Sequence, residues 1–313
     1  MVTIFWHPDG VDQCSGQTSP LHERVDGKIM RTMLGKACGG GVARFVVATS
    51  LMAATPLPMI APAYAAGDLL IAPTRVVFDG RRGTEVILNN IGNEEATYRI
   101  TLELRRMNDK GRLDDVDQAN ANEKEMAALG VIRFAPRRVT LPPNQPQSIR
   151  VGMQAADSLP DGEYRAHMLF RAIPKTPAAD AAQDAGNGLK IQLIPIYGIS
   201  IPVIVRKGDL KATAAMSNLR IGADNEGPTL EFDLSRQGDK SIFGEIHVTK
   251  PGVAEPISIA KGIAIYPEIT MRNVSLPLPP EVASKMHGEV VISYYEAPEA
   301  GGGLITQIRQ VLP

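Results

Sequence analysis

The chain has 313 residues, which is enough for about two domains of ordinary size. Its 33 basic and 34 acidic residues give a net charge of −1, and this near-balance excludes a general nucleic-acid binder with a basic excess. The 44% hydrophobic and 21% charged residues are typical of a globular protein, and 29 glycines, 24 prolines and 5% aromatic residues favour turns and short strands over long helices.

An uncharged apolar run occupies residues 46–61. The basic residues Arg31, Lys36 and Arg44 precede it, and the sequence Ala-Tyr-Ala at 63–65 follows it. A basic region, an apolar region and a small-x-small cleavage pattern are the three parts of a secretory signal peptide. The run is short for a membrane span and contains two prolines, so a signal peptide is favoured over a membrane anchor.

The polar residues 1–29 fit no part of a signal peptide, so translation is expected to begin at Met30 or Met33. Residues 1–65 are then an N-terminal extension and signal peptide, and the mature chain is expected to begin near Ala66 and to enter the periplasm. Both cysteines lie in the segment that would be removed. A mature chain without cysteine excludes a disulfide scaffold, a zinc–cysteine site and a thiol nucleophile.

Strict alternation of apolar and polar residues predicts a half-buried strand at 97–105, with Tyr98, Ile100, Leu102 and Leu104 on one face. Shorter runs of the same character, separated by turn residues, predict further strands at 70–77, 84–89, 147–151 and 163–172. Residues 120–129 suit one short helix, which is interpreted as a loop decoration.

The longest apolar strand is predicted at 189–206, and its later part is apolar on both faces. Such a strand is either central and covered on both sides or a hydrophobic liability. The preceding residues 175–188 lack large apolar side chains and are expected to form a mobile loop. The charged, glycine-terminated junction 206–208 is the predicted domain boundary, which gives domains at 66–206 and 207–313.

Beyond this boundary the alternation continues in weaker form. Apolar residues at every second position again predict strands, at 210–215, 229–235, 243–249, 257–265, 269–278, 289–296 and 304–311. About seven strands in each half predict an all-β chain of two β-sandwiches.

The motifs of the common enzyme classes are absent. The sequence contains no P-loop, dinucleotide-binding fingerprint, HExxH or Gly-x-Ser-x-Gly motif. His167, His247 and His287 are isolated in sequence, so a metal site is not supported, and surface or ordinary core roles are favoured. The acidic run 109–117 departs from the calcium-loop pattern and is interpreted as a solvated hairpin loop. No cofactor, no metal and no catalytic residue are therefore predicted, and the protein is not expected to be an enzyme.

Four segments of the first half resemble the PapD-like periplasmic chaperones of pilus and fimbria assembly. These are APTRVVFDG at 72–80 with VILNN at 86–90, FAPRRVTLPPNQPQSIRV at 134–151, LPDGEYRAHMLFRAIP at 159–174, and the end of the long strand at 199–206. Each motif alone is loose, but their order matches that of the family. The second half shares only the expected size and strand pattern.

The resemblance implies two immunoglobulin-like β-sandwiches set at an angle, with a cleft between them. It also implies a function without chemistry, in which the chaperone lends its long strand to a pilus or fimbrial subunit that lacks its own last strand. The subunit would then pass to an outer-membrane usher. The donated side chains would include Ile191, Leu193, Tyr197 and Ile199, although Pro195 interrupts the expected pattern. For Ile191 and Leu193, an ordinary buried core strand is an equally good interpretation.

Arg75 matches the family's cleft arginine, which implies that it anchors the carboxylate at the subunit's C-terminus. Without the resemblance, an exposed arginine on an edge strand would be preferred. The family's second anchor is a lysine, and Pro202 occupies the aligned position in this chain. Either Arg206 or Lys207 replaces it, or the cleft relies on Arg75 alone.

Two other classes of function remain open. An exported two-domain binding or adhesion module would use the long strand only as core and would bind its ligand through loops. An enzyme on a sandwich scaffold receives the least weight, because a fold alone does not decide function. An exposed apolar strand would also permit self-dimerisation of the free protein.

Overall fold

The computed structural model describes residues 69–80, 83–174, 196–253 and 255–312. The predicted signal peptide, the predicted loop 175–188 and the first part of the predicted long strand lie outside these residues. The described chain is dominated by strands, and this confirms the all-β prediction.

The N-terminal part of the described chain forms two sheets. Its strands are β1 (Leu69–Ala72), β2 (Val76–Asp79), β3 (Gly83–Asn90), β4 (Ala96–Met107), β5 (Leu113–Val116), β6 (Ile132–Ala135), β7 (Arg138–Leu141), β8 (Pro146–Met153), β9 (Gly162–Ile173) and β10 (Gly198–Lys207). One sheet has the order β1-β3-β8-β6, and the other has the order β2-β10-β9-β4-β5 with β7 also paired to β4. Both sheets contribute side chains to one hydrophobic core, so this part is a β-sandwich, called here the N-terminal sandwich.

The alternation that predicted β4 appears directly in its burial. Tyr98, Ile100 and Leu104 are buried in the core, whereas Arg99 and Thr101 are exposed. Because successive side chains of a strand point to opposite faces, one sequence pattern fixes which face packs inward.

The predicted single strand at 70–77 is wrong in one respect. The structure divides it into β1 and β2, which belong to different sheets and are separated by Pro73. Proline has no backbone N–H to donate, so a ladder does not continue through it. The change of sheet brings the residues after Pro73 beside β10.

The predicted helix is present, but its interpretation as a decoration is wrong. Helix α1 (Glu123–Val131) begins at a capping box in which the Asn122 side chain accepts from the Glu125 N–H and the Glu125 carboxylate accepts from the Asn122 N–H. Ala128 and Val131 belong to the core of the N-terminal sandwich. The helix therefore closes one side of that core.

The C-terminal part contains all seven predicted strands. They are β11 (Ala212–Asp224), β12 (Gly227–Gly238), β13 (Ile242–Thr249), β14 (Ser258–Ile265), β15 (Met271–Pro277), β16 (Gly288–Glu296) and β17 (Leu304–Leu312), with the short helix α2 (Pro280–Ala283) before β16. They form sheets of order β11-β12-β15 and β14-β13-β16-β17, which enclose a second core. This part is called the C-terminal sandwich.

A small third cluster joins the two sandwiches. Met107 and Ile204 from the N-terminal sandwich pack with Ala264 and Tyr266 from the C-terminal sandwich. No described helix is long and apolar enough to cross a membrane.

Candidate functional site: the cleft between the sandwiches

A cavity of about 530 Å³ opens between the two sandwiches and is called here the cleft. Both sandwiches supply its charged and apolar walls. The lining includes Arg75, Val77, Asp79 and Arg206 from the N-terminal sandwich, and Lys240, Ser241, Ile242, Phe243, Glu296 and Glu299 from the C-terminal sandwich.

The pairing of β2 with β10 places Arg75 at the cleft. β2 runs parallel to β10, with Val76 opposite Val203. Arg75 directly precedes β2, and Pro202 directly precedes Val203 on β10. The core-facing residues Val76 and Val203 are buried, and their predecessors therefore belong to the opposite face. Pro202, where the resemblance expected a lysine, supplies no charge at this end of the paired strands.

The Arg75 guanidinium contacts neutral groups of the C-terminal sandwich. Its Nη1 donates to the Tyr266 hydroxyl at 3.1 Å, and its Nη2 donates to the Ser241 hydroxyl at 3.2 Å. It also lies over the Phe243 ring, 4.5 Å from the ring centroid. Within the described residues, no carboxylate forms an ion pair with Arg75. Its positive charge therefore has no described counter-ion.

Arg206 also lines the cleft, but its charge is paired. Its Nε donates to Glu163 Oε2 at 3.0 Å, and its Nη2 donates to the backbone oxygen of Ser241 at 3.2 Å. The Glu163 side chain is only 1% exposed. The same Glu163 oxygen accepts from the Ser241 N–H and hydroxyl, both at 2.9 Å. These bonds connect β9, β10 and the turn before β13.

The bonds among Arg206, Glu163 and Ser241 form one polar joint between the sandwiches, and a second joint lies beside it. Arg165 donates from Nη1 and Nη2 to the two oxygens of Glu268, at 3.2 and 2.6 Å. Glu268 also accepts from the Met107 N–H at 2.7 Å. The Arg165 guanidinium covers the Tyr266 ring at 3.6 Å from its centroid. A two-pronged arginine–carboxylate pair fixes direction as well as distance, so it holds the loop that carries Tyr266.

The contacts of Lys207 do not match its candidate role as a second carboxylate anchor in the cleft. Its Nζ donates to the backbone oxygen of Asp157, and the cleft lining does not include it. Lys240, which no sequence signal singled out, lies in the turn between β12 and β13 and does line the cleft.

Two of the four predicted donor positions, Ile191 and Leu193, lie outside the described residues, as does Pro195. Tyr197 is exposed and precedes β10, while Ile199 is partly buried against the N-terminal core. β10 pairs with β9 along its whole length but with β2 only from Val203 onward. No described strand occupies the second edge of residues 198–202.

The side chain of His167 on β9 lies on the same sheet face as those of its two cross-strand neighbours. These are Glu103 on β4 and Pro202 on β10. His167 is 1% exposed, and neither ring nitrogen has a hydrogen-bond partner. Burial, with the charges of Arg165 and Arg105, lowers the pKa of His167 well below its usual value. Among the described residues, no group of three or more histidine, cysteine or acidic side chains is placed to hold a metal ion.

No protein-family model matches the chain, and the search of curated proteins found no match. Solved structures do match. A chain of the CsuC–CsuE chaperone–tip adhesion subunit pre-assembly complex of Acinetobacter baumannii Csu pili is 12% identical, covers 78% of this chain and 97% of its own length, and gives a TM-score of 0.41.

The Escherichia coli chaperone DraB is 15% identical over 79% of this chain and 97% of its own, with a TM-score of 0.41. The Pseudomonas aeruginosa CupB2 chaperone is 13% identical over 78% of this chain and 100% of its own, with a TM-score of 0.40. The solved structures to which this chain is similar also include a chaperone–tip adhesin complex of CFA/I fimbriae biogenesis and the class 5 fimbriae chaperone CfaA.

Proposed function

We propose that the protein is a periplasmic chaperone that captures pilus or fimbrial subunits by strand complementation. The observation that carries this proposal is Arg75: it stands in the cleft, held by two hydroxyls and an aromatic ring, without a described counter-ion. A cation held in this way suits the carboxylate at the end of another chain.

The hydrogen-bonding capacity of Arg75 supports this assignment. A guanidinium has five N–H donors, and Arg75 gives two of them to Tyr266 and Ser241. Three donors remain, which is enough for a two-pronged contact with a carboxylate. Arg75 therefore can hold a ligand without giving up the bonds that orient it.

The other two candidate anchors have other roles in this proposal. Arg206 neutralises the buried Glu163, and Lys207 binds a backbone oxygen, so neither replaces the lysine missing at Pro202. Arg206 is assigned to bracing the joint between the sandwiches. Arg75 is the principal anchor, and Lys240 contributes a second positive charge at the wall of the cleft.

The long strand is proposed to supply the complementing strand. The second edge of residues 198–202 is free of any described strand, and Tyr197 is 52% exposed beside it. An added strand satisfies the N–H and C=O groups of such an edge, and alternate side chains fill the partner's groove. Ile191 and Leu193, which precede these residues in the chain, remain the proposed donor residues.

The mechanism is stoichiometric and uses no cofactor: the chaperone captures the subunit, completes its sheet and releases it by strand exchange. Delivery to an outer-membrane usher belongs to the same proposal. The N-terminal segment would direct the protein to the periplasm, where such subunits fold.

Co-expression tests the proposal. The full chain carries a C-terminal tag and is expressed with the small secreted proteins encoded near it, and the co-purified proteins are identified. We expect a one-to-one complex with a subunit that is degraded when the chaperone is absent, and a mature N-terminus near Ala66. A lone tagged protein, whose neighbours are stable without it, would instead support the exported binding module.

Arg75→Ala tests the anchor within the same experiment. Because Arg75 carries no described ion pair, its loss is expected to lower subunit yield at least about tenfold while the melting temperature changes by no more than about 4 °C. Arg150→Ala is the matched control, since the Arg150 side chain is 87% exposed on β8, away from the cleft. Equal yields from Arg75→Ala and wild type would refute the assignment.

A further inference from the structure

We infer that the C-terminal sandwich aims Arg75, and that Tyr266 and Ser241 are the positioning residues of the carboxylate anchor. This inference rests on the proposed function. It adds that the anchor is assembled from both sandwiches: one supplies the charge and the other sets its direction.

The first step is the placement of two acceptors. Arg75 presents Nη1 to the Tyr266 hydroxyl and Nη2 to the Ser241 hydroxyl. Both acceptors belong to the C-terminal sandwich, 191 and 166 residues further along the chain. Two acceptors on separate nitrogens, with Phe243 beneath the plane, define both the position and the tilt of the guanidinium.

The second step is that a carboxylate fixes each acceptor: the buried Glu163 holds Ser241, and Glu268 holds Tyr266 through Arg165. The Ser241 hydroxyl donates its proton to Glu163, so its lone pairs face Arg75 and Arg206. Ser241 is 2% exposed, and its hydroxyl lies within hydrogen-bond distance of Glu163, Arg75 and Arg206 at once.

Tyr266 is fixed by the other carboxylate, Glu268. Its ring lies beneath the Arg165 guanidinium, and Arg165 is bound through two nitrogens to Glu268, two residues further along the same loop. Tyr266 itself is 4% exposed and packs with Met107 and Ile204. The hydroxyl that receives Arg75 therefore sits at the end of a rigid assembly.

The consequence concerns binding. A free arginine side chain samples many rotamers, and fixing it on binding reduces affinity. If Arg75 is already fixed, a carboxylate meets its remaining donors without that cost. Tyr266 and Ser241 would then increase affinity for a chain end without touching it.

A purely structural role is the competing explanation, in which the two hydroxyls only hold the sandwiches together. The explanations differ in one respect. A structural defect weakens binding of every ligand, whereas a misplaced Arg75 weakens binding only when the ligand ends in a carboxylate.

The probe is a synthetic, fluorescently labelled peptide of alternating valine and threonine, about eight residues long. It is made with a free C-terminal carboxylate and, separately, with a C-terminal amide. Affinities are measured by fluorescence anisotropy on the mature chain and on Tyr266→Phe, Ser241→Ala and Arg75→Ala. Tyr295→Phe is the matched control, because it removes a hydroxyl from β16 without touching Arg75.

We expect the wild type to bind the acid at least about tenfold more tightly than the amide. Tyr266→Phe and Ser241→Ala, as single variants, are each expected to weaken binding of the acid about five- to tenfold. Binding of the amide is expected to be unchanged. In the Arg75→Ala background Tyr266→Phe is expected to have no effect, and Tyr295→Phe is expected to match the wild type.

Failure of the inference is distinguishable from failure of the proposed function. If the wild type prefers the acid but Tyr266→Phe and Ser241→Ala match it, or weaken acid and amide equally, the positioning role is overturned and the anchor stands. If the wild type binds acid and amide alike, or binds neither, the proposed anchor itself is overturned.

Discussion

Glu163 holds the joint between the sandwiches at a single oxygen atom. Its Oε2 accepts from Arg206 Nε at 3.0 Å and from the Ser241 N–H and hydroxyl at 2.9 Å each. The side chain is 1% exposed, and that of Arg206 is 16% exposed. Glu163→Ala would leave a largely buried guanidinium and two buried donors of Ser241 without their acceptor.

The magnitude follows from these partners. Removing one member of a buried ion pair costs about 3–5 kcal/mol, because the remaining charge is uncompensated. For a protein of this size such a loss lowers the melting temperature by roughly 10 °C. Glu163→Gln keeps an acceptor oxygen but removes the charge, so its loss is expected to lie between wild type and Glu163→Ala, at about 1–3 kcal/mol.

The assay is urea unfolding of the mature chain, with Glu85→Ala as the control. Glu85 pairs with Arg150 at 4.0 Å, but these side chains are 58% and 87% exposed. A surface pair of this kind contributes about 0–1 kcal/mol, so Glu85→Ala is expected to change little. If Glu163→Ala lost no more than Glu85→Ala, the reasoning about the buried joint would be wrong.

Two further predictions concern stability. His167 is neutral in the folded protein because burial lowers its pKa, whereas its pKa is about 6.5 when unfolded. The unfolded chain therefore binds a proton below about pH 6.5 that the folded chain does not, and stability falls by up to about 1.4 kcal/mol per pH unit as pH decreases. His167→Phe should flatten this slope between about pH 6.5 and 5.5 in unfolding measured at each pH, and an unchanged slope would contradict the assignment. Gly244→Ala should destabilise strongly, because its Cβ would lie 1.8 Å from the Tyr295 backbone oxygen across β13 and β16. Gly130→Ala in α1 is the control: its Cβ meets no atom within 4 Å, so the melting temperature should stay constant or rise, and equal losses in both variants would refute the steric argument.

The residues of the cleft show which parts of the candidate site could be predicted from the sequence. The motif around Arg75 suggested a cleft arginine, and the structure does place Arg75 in a cleft. The sequence offered Arg206 and Lys207 as equivalent substitutes for the missing lysine. Only the structure separates them, since Arg206 lines the cleft with its charge paired while Lys207 binds the Asp157 backbone.

Tyr266 and Ser241 gave no sequence signal at all. They lie at the end of a strand and in a turn, where tyrosine and serine are unremarkable. Their importance comes from hydrogen bonds to a residue more than 160 positions earlier in the chain. Sequence spacing alone carries no information about such a pair.

The sequence by itself determined most of the strands, because alternation of side chains between two faces is a local property that survives in any strand. It did not predict the four-residue strands β5, β6 and β7, which are too short for the alternation to stand out. It determined the face of β4 that packs inward and the seven strands of the C-terminal sandwich in the same way. Only the tertiary structure decided that 70–77 divides between two sheets, that α1 closes a core, and which charges meet in the cleft. These outcomes depend on long-range pairing, where each polar group takes the partner that folding brings within hydrogen-bond distance.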